Sequence, residues 1–393
     1  MTRVSSAGAL AAAAIALGAS SAALAHHGFG RFDLTQEVTF SGTLTRVDFV
    51  NPHTYMYFDT TDASGAPLSV KCELRAATLL RRSGWDADMF EVGADVALRG
   101  FAHREDPSSC YVEDLQIGDV SLSRNDQLSD GGPAETGRAL RTPWGAPNLD
   151  GDWAVELGVL TVPPEGGSGA IVPKSVSAQY ASGELTLEEI RAAQDNLRPT
   201  AVFSEAGQAA ADAFVMWAPE DNPRLQCKPT SILFDWTFDW PVNRITQSED
   251  QIVIDYGIIA TKRTIHLGMD DHPADLEPSN AGHSIGWWDG GTLVVDTIGF
   301  EPGVLSPPIR SSGLLHVIER FTLAPDGMSI KRAYTAIDPV TLAAPYVGSD
   351  TVLVADVPWE PVPCEELTPE FSDDAIAAAT AAARAEEAAA AQD

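Results

Sequence analysis

With 393 residues, 44% of them hydrophobic, the chain is long and apolar enough to bury a sizeable core, and its length predicts two domains. Its 25 basic against 56 acidic residues leave a net charge of −31. A charge of that sign and size repels nucleic acid and anionic membrane surfaces, so neither is expected as a partner.

The N-terminus has the three parts of a secretory signal. Met1-Thr2-Arg3 is a short positive segment, Ala7 to Ala19 is apolar, and Ala23-Leu24-Ala25 is a small-x-small cleavage site. Residues 1–25 are therefore expected to be removed, with the mature chain starting at His26 in a periplasmic or secreted setting. No other apolar run reaches the roughly 18 residues that a membrane-spanning helix needs, so no membrane insertion is expected after cleavage.

Residues 26–120 read as a small β domain. Strands are predicted over Glu37–Asp48, His53–Thr60, Leu68–Leu74, Asp95–Phe101 and Ser109–Ile117, with a short helix over Arg75–Arg82 stopped by Ser83-Gly84. Three strands, a helix and two strands is the order of an OB-like five-stranded barrel. Its 8 basic and 15 acidic side chains argue against the nucleic-acid binding common to that fold.

Residues 121–200 are rich in Gly, Pro, Ser and Asp and read as linker and wrapping loops. Within them, Leu149-Asp150-Gly151-Asp152-Trp153 has the Gly-x-Trp opening of a lipocalin-type strand. Leu185–Asn196 is a predicted helix, with Thr186 as N-cap and Glu189 three residues on.

Residues 201–365 read as a lipocalin-like antiparallel β-barrel. Strands are predicted over Asn243–Ser248, Gln251–Tyr256, Thr261–Leu267, Ser284–Trp288, Thr292–Phe300, Leu314–Leu323 and Met328–Ile337. Asp289-Gly290-Gly291 and Asp326-Gly327 are hairpin signals. One or two further strands are expected from 150–240 or 351–364. Residues 366–393 form an Ala-rich tail.

The four cysteines, Cys72, Cys110, Cys227 and Cys364, show no C-x-x-C spacing, and an even number in an oxidising compartment reads as disulfides. Of the three pairings, Cys72–Cys110 within the first domain and Cys227–Cys364 within the second are expected. The first pair would bridge strands three and five of the OB-like barrel.

Several motifs resemble a family of exported bacterial proteins of unknown function. In the first domain they are His26-His27-Gly28-Phe29, Phe32-Asp33, Gly42-Thr43-Leu44, Asn51-Pro52-His53 and Gly84-Trp85. Gly28 stands where that family usually has Ser. The second half is similar to a larger domain often found after it. The matching residues there are Asn148 to Trp153, Cys227-Lys228-Pro229, Gly282-His283-Ser284-Ile285-Gly286-Trp287, Gly291 to Thr297 and Glu319-Arg320-Phe321. Asp289-Gly290-Gly291 replaces the usual Glu-Gly-Asp and removes one carboxylate. The resemblance implies export and architecture, and no activity.

Three groups of residues could carry chemistry. After cleavage, the His26 α-amino group and imidazole, with His27 and His53, make an all-nitrogen set suited to copper, with zinc as the other candidate. In the barrel, His283, Asp296 and Glu319 are candidate general acids or bases, and Arg320 could stabilise developing negative charge. Strand alternation puts Asp296 among aliphatic residues, and puts Glu319 on the face of its strand opposite to His316 and Arg320. Both carboxylates therefore need partners, for which Arg263, Arg320 and Arg332 are available. The competing reading makes these same residues an ion-pair network that fixes strand register.

Aromatic residues form the third group. Phe234, Trp236, Phe238 and Trp240 share one face if 234–240 is a strand. With Trp287, His316 and Tyr334 they could line a cavity for a flat or apolar molecule. Gly282-His283-Ser284-Ile285-Gly286 matches the Gly-x-Ser-x-Gly spacing, but a Trp-rich hairpin follows where a nucleophile elbow needs a helix. The leading expectation is an exported protein that binds a small apolar or aromatic molecule in the second domain and can act on it by isomerisation, elimination or hydrolysis. The alternatives are a periplasmic metal-binding protein and a non-catalytic interaction module.

Overall fold

The structure is a computed structural model and describes residues 32–365 except 125, 127, 129–131, 134, 162–169, 191–198, 216–220, 239, 240 and 260. The expected signal segment, His26, His27, Trp240 and the Ala-rich tail lie outside the described residues.

The first domain holds β1 (Phe32–Asp48), β2 (Tyr55–Thr61), β3 (Pro67–Glu73), α1 (Ala77–Arg82), β4 (Asp95–His103), β5 (Ser109–Ile117) and β6 (Val120–Ser123). They form one sheet in the order β3-β2-β1-β4-β5-β6, and a parallel β3–β5 pairing closes the first five strands on themselves. That is the OB-like order expected from the sequence. Alternation sets the faces: Val96, Leu98 and Ala102 of β4 point inward between exposed or half-buried neighbours. Cys72 and Cys110 are direct partners on the parallel pair and form a disulfide with Cα atoms 4.5 Å apart. The strand expected to start at His53 begins instead at Tyr55, after a cis Asn51–Pro52 bond.

The second domain is a closed barrel of nine strands: β7 (Gly151–Ala154), β10 (Val242–Gln247), β11 (Gln251–Asp255), β12 (Lys262–Leu267), β13 (His283–Asp289), β14 (Thr292–Ile298), β17 (His316–Leu323), β18 (Ser329–Ile337) and β19 (Tyr346–Val354). Two hairpins stand apart from it, β8 (Gly158–Thr161) with β9 (Ala170–Pro173), and β15 (Gly303–Ser306) with β16 (Ile309–Ser311). Among the described residues, α2 (Lys174–Ser182) and α3 (Glu205–Asp212) lie in the connections, and residues 187–190 are helical, the rest of the helix expected over Leu185–Asn196 lying largely outside the described residues. The Gly-x-Trp strand is present as β7 and closes the barrel between β19 and β10. Thr186 and Glu189 form the expected reciprocal cap.

Two expectations need correction. The barrel is not wholly antiparallel, because β12 and β13 run parallel. A parallel pair needs a long crossover rather than a tight turn, and residues 268–282 supply it. The aromatic segment is also not a strand over its described residues 234–238: residues 232–238 form consecutive turns, and Phe238 N–H donates to the Phe234 carbonyl at 3.1 Å. Helical spacing therefore stacks Phe234 on Phe238, centroids 4.4 Å apart, with the Arg224 guanidinium 4.1 Å from the Phe238 ring centre. Trp236 turns the other way, into the barrel core.

That core is filled by large side chains. Trp153, Trp236, Tyr256, Phe321, Arg263 and Arg332 are all fully buried, and Trp236 meets Tyr256 and Phe321 edge-to-face. Burial pushes the Tyr256 hydroxyl up to about 12. The Cys227–Cys364 disulfide ties the segment before β10 to the segment after β19, Cα atoms 5.7 Å apart. The two domains meet along a polar seam. Arg82 pairs in bidentate fashion with Asp356 at 2.7 and 3.0 Å and donates to the Val155 carbonyl. Asn51 and Cys364 form an isolated parallel bridge beside it. Among the described residues no helix is long and apolar enough to cross a membrane.

Candidate functional site

Alternation along β14 and β17 decides which carboxylate meets which partner. Leu293, Val295 and Thr297 of β14 and Val317, Glu319 and Phe321 of β17 point into the barrel and are buried. Asp296, His316, Ile318 and Arg320 point outward. Glu319 is thus inside, 0% exposed, with Arg263 at 2.5 Å and Arg332 at 3.2 Å. Arg263 also donates to Ser284 at 2.9 Å and to Thr297 at 2.8 Å, and Arg332 pairs with Asp350. Burial works against charge on both guanidiniums, but the facing carboxylates outweigh it and both are held above the usual arginine value. Glu319 therefore sits in a buried ion-pair network, apart from Asp296. Ser284 is 1% exposed on a strand within that network, and is no nucleophile elbow.

Asp296 finds histidines instead of arginines. Its Oδ1 lies 3.0 Å from His272 Nε2, and its Oδ2 lies 2.9 Å from His316 Nε2. His272 Nδ1 lies 2.8 Å from His283 Nδ1, and the His283 ring stacks on His266 with centroids 5.1 Å apart. Four of the chain's eight histidines are thus gathered around one carboxylate on the outer wall of the barrel. His266 comes from β12, His272 from the 268–282 crossover, His283 from β13 and His316 from β17.

The hydrogen-bond directions follow from the carboxylate. A carboxylate accepts and does not donate, so Nε2 of both His272 and His316 donates to Asp296. In neutral His272 the remaining lone pair is on Nδ1, so His283 Nδ1 must donate to it. His283 then carries its own lone pair on Nε2. Burial, followed by the neighbouring His272 and His266, holds the His283 imidazole below its ordinary value of 6.5. The arrangement leaves a neutral imidazole aimed by a relay of two further groups. That is the geometry of a general base whose proton can be passed inward.

Gly282 makes this placement possible. Its φ is +63°, and a Cβ there would come 2.7 Å from the Ile298 carbonyl oxygen and 2.9 Å from Thr297 Cγ2. Only glycine lets the chain turn so tightly into β13 beside β14.

The remaining sequence candidates are dispersed. Trp287 is outward on β13 and 48% exposed. Arg320 is outward on β17, 3.5 Å from Asp289, with both side chains more than half exposed. Trp236 is core and lines no outer site. Tyr334 packs beside Tyr346, and burial raises its hydroxyl. His53 Nδ1 is 2.6 Å from the buried Glu73 carboxylate, while His26 and His27 lie outside the described residues. No group of three or more His, Cys, Asp or Glu among the described residues is placed to hold a metal ion.

Sequence reasoning did not single out His266 or His272. His266 alternates outward on a predicted strand, which was a usable signal. His272 lies in Asp270-Asp271-His272-Pro273, a loop stretch with no periodicity to place it.

Comparison with known proteins adds one finding for the first domain and none for the barrel. No curated protein and no solved structure matches the chain. Residues 14–110 are similar to a family of unknown function, DUF6152.

Proposed function

We propose that this is an exported protein, cleaved after Ala25, that transforms a small apolar or aromatic molecule by acid–base chemistry on the outer wall of its second barrel. Two disulfides suit the oxidising compartment that export implies. The single observation carrying the catalytic reading is the hydrogen-bonded string His316–Asp296–His272–His283.

The string supports one proton-transfer step. His283 Nε2 takes a proton from a substrate C–H or O–H, and the His283 Nδ1 proton moves to His272 Nδ1. His283 ends neutral with its proton on Nε2, and the imidazolium formed at His272 faces Asp296. The product is a substrate anion, which returns a proton elsewhere in an isomerisation or expels a leaving group in an elimination.

The test is deuterium exchange. The mature protein is incubated in D2O with a panel of aryl ketones, enones and aryl-substituted carboxylic acids, and incorporation at acidic C–H positions is followed by mass spectrometry. Wild type should exchange at least one compound. His283→Gln and Asp296→Asn should lower that rate by about 100-fold or more, the usual weight of a general base. The rate should hold through pH 6.5, the ordinary imidazole value, and fall only at lower pH, as His283 takes up a proton below that value. Exchange that is absent from the whole panel, or unchanged in His283→Gln, would overturn the reading.

A further inference from the structure

We infer that the molecule taken by this wall is an anion: a carboxylate joined to a flat apolar body, gripped by Arg320 and Trp287. The inference rests on the histidine string as the reacting end and adds the substrate class.

The register across three strands lays out the surface. Trp287, Val294 and Arg320 are direct partners across β13, β14 and β17 and form one outward row. Ile285, Asp296 and Ile318 form the next row, and His283 and Ile298 begin the third. Val294 and Ile285, at 1% and 6% exposed, are closed over by the side chains around them and form the covered floor between the rows, so a ligand meets the wall at the exposed groups on either side. One end of that floor has the histidines and Asp296. The other end has an indole and a guanidinium.

Both end groups are available. Trp287 is 48% exposed, which is costly for so large an apolar surface and suits stacking against a flat ring. Among the described residues Arg320 pairs with Asp289, at 3.5 Å, and that pair is 52% and 69% exposed. Such a pair is weak, so a ligand carboxylate can replace Asp289 with a bidentate contact. Beside Arg320 on β18 stands Ala333, whose small side chain leaves the guanidinium uncrowded. In a chain of net charge −31, general electrostatics repel anions. Recognition of one therefore has to come from a local cation such as Arg320.

Length fixes the rest. Four residues of strand separate the Trp287 row from the His283 row, about 13 Å along the wall. A ligand held at both ends has to bridge that distance less the reach of the two side chains, which suits a ring and a short chain between the carboxylate and the reacting atom.

Binding, read by calorimetry without turnover, tests this separately from the catalytic proposal. The probes are trans-cinnamate and its neutral isostere cinnamamide. Wild type should bind cinnamate about tenfold or more tightly than the amide, the worth of one charge-assisted contact. Arg320→Gln should abolish that difference, and Trp287→Ala should weaken both probes. His283→Gln should keep cinnamate binding within about threefold. Equal affinities in wild type, no binding of either probe, or a preference that survives Arg320→Gln would overturn the anion inference. Wild type that binds cinnamate with this preference but exchanges no compound of the panel would count against the catalytic reading alone.

Discussion

Glu319 and Asp296 lie on neighbouring strands one register step apart, yet they meet different fates. Val295 faces Glu319 and Asp296 faces Ile318 across the β14–β17 ladder, so one carboxylate points in and the other out. The inward one has two arginines and no solvent. The outward one has two histidines and a way to the surface. Removing Glu319 would leave Arg263 and Arg332 buried without the carboxylate they share, so Glu319→Ala should cost about 3–5 kcal/mol of stability. Arg320→Ala, on the exposed face, should stay within about 0.5 kcal/mol. Urea denaturation of the two variants beside wild type checks the contrast, and similar losses would refute the assignment of faces. The sequence already required both carboxylates to find partners. It did not say that Asp296 would choose histidines, because His272 arrives from a loop with no pattern to place it.

At the scale of elements, the 268–282 crossover does two things. It turns β13 parallel to β12, and it lays His272 over the wall between Asp296 and His283. Gly282 is the joint where that crossover enters the barrel. Gly282→Ala would force a Cβ into the β14 backbone at positive φ, so it should destabilise by more than about 1 kcal/mol. It should also disturb the His272–His283 hydrogen bond, read as a change in imidazole 15N shifts of the folded variant. Unchanged stability and shifts would mean that the turn is not what places His283. Segment 234–240 shows the limit of alternation as a signal. Its aromatic residues fit a strand face, but Phe234 and Phe238 are also one helical turn apart, and turns prevailed because the Asp235 carboxylate accepts from the Thr230 N–H and pairs with Arg224. Burial raises that carboxyl to about 6 in spite of Arg224.

For the molecule as a whole, two covalent closures and one polar seam bind the architecture together. Cys227–Cys364 spans 137 residues and Cys72–Cys110 spans 38. In the chain-entropy model the longer closure contributes roughly 5 kcal/mol and the shorter roughly 4. The Cys227→Ala/Cys364→Ala pair should therefore lose at least as much stability as the Cys72→Ala/Cys110→Ala pair, measured by thermal and urea unfolding. It should also loosen the seam, because Cys364 bridges to Asn51 of the first domain. Strand alternation, hairpin signals and cysteine parity are local properties, and from them the sequence alone determined a mainly β fold, the OB-like strand order, most strand positions and that the cysteines pair, while which of three pairings forms was decided by the fold. The tertiary structure alone decided the parallel step in the barrel, the burial of Glu319 between two arginines and the meeting of four histidines at Asp296. Those depend on which strands lie side by side and on where a long crossover lands, and no period in the sequence encodes either.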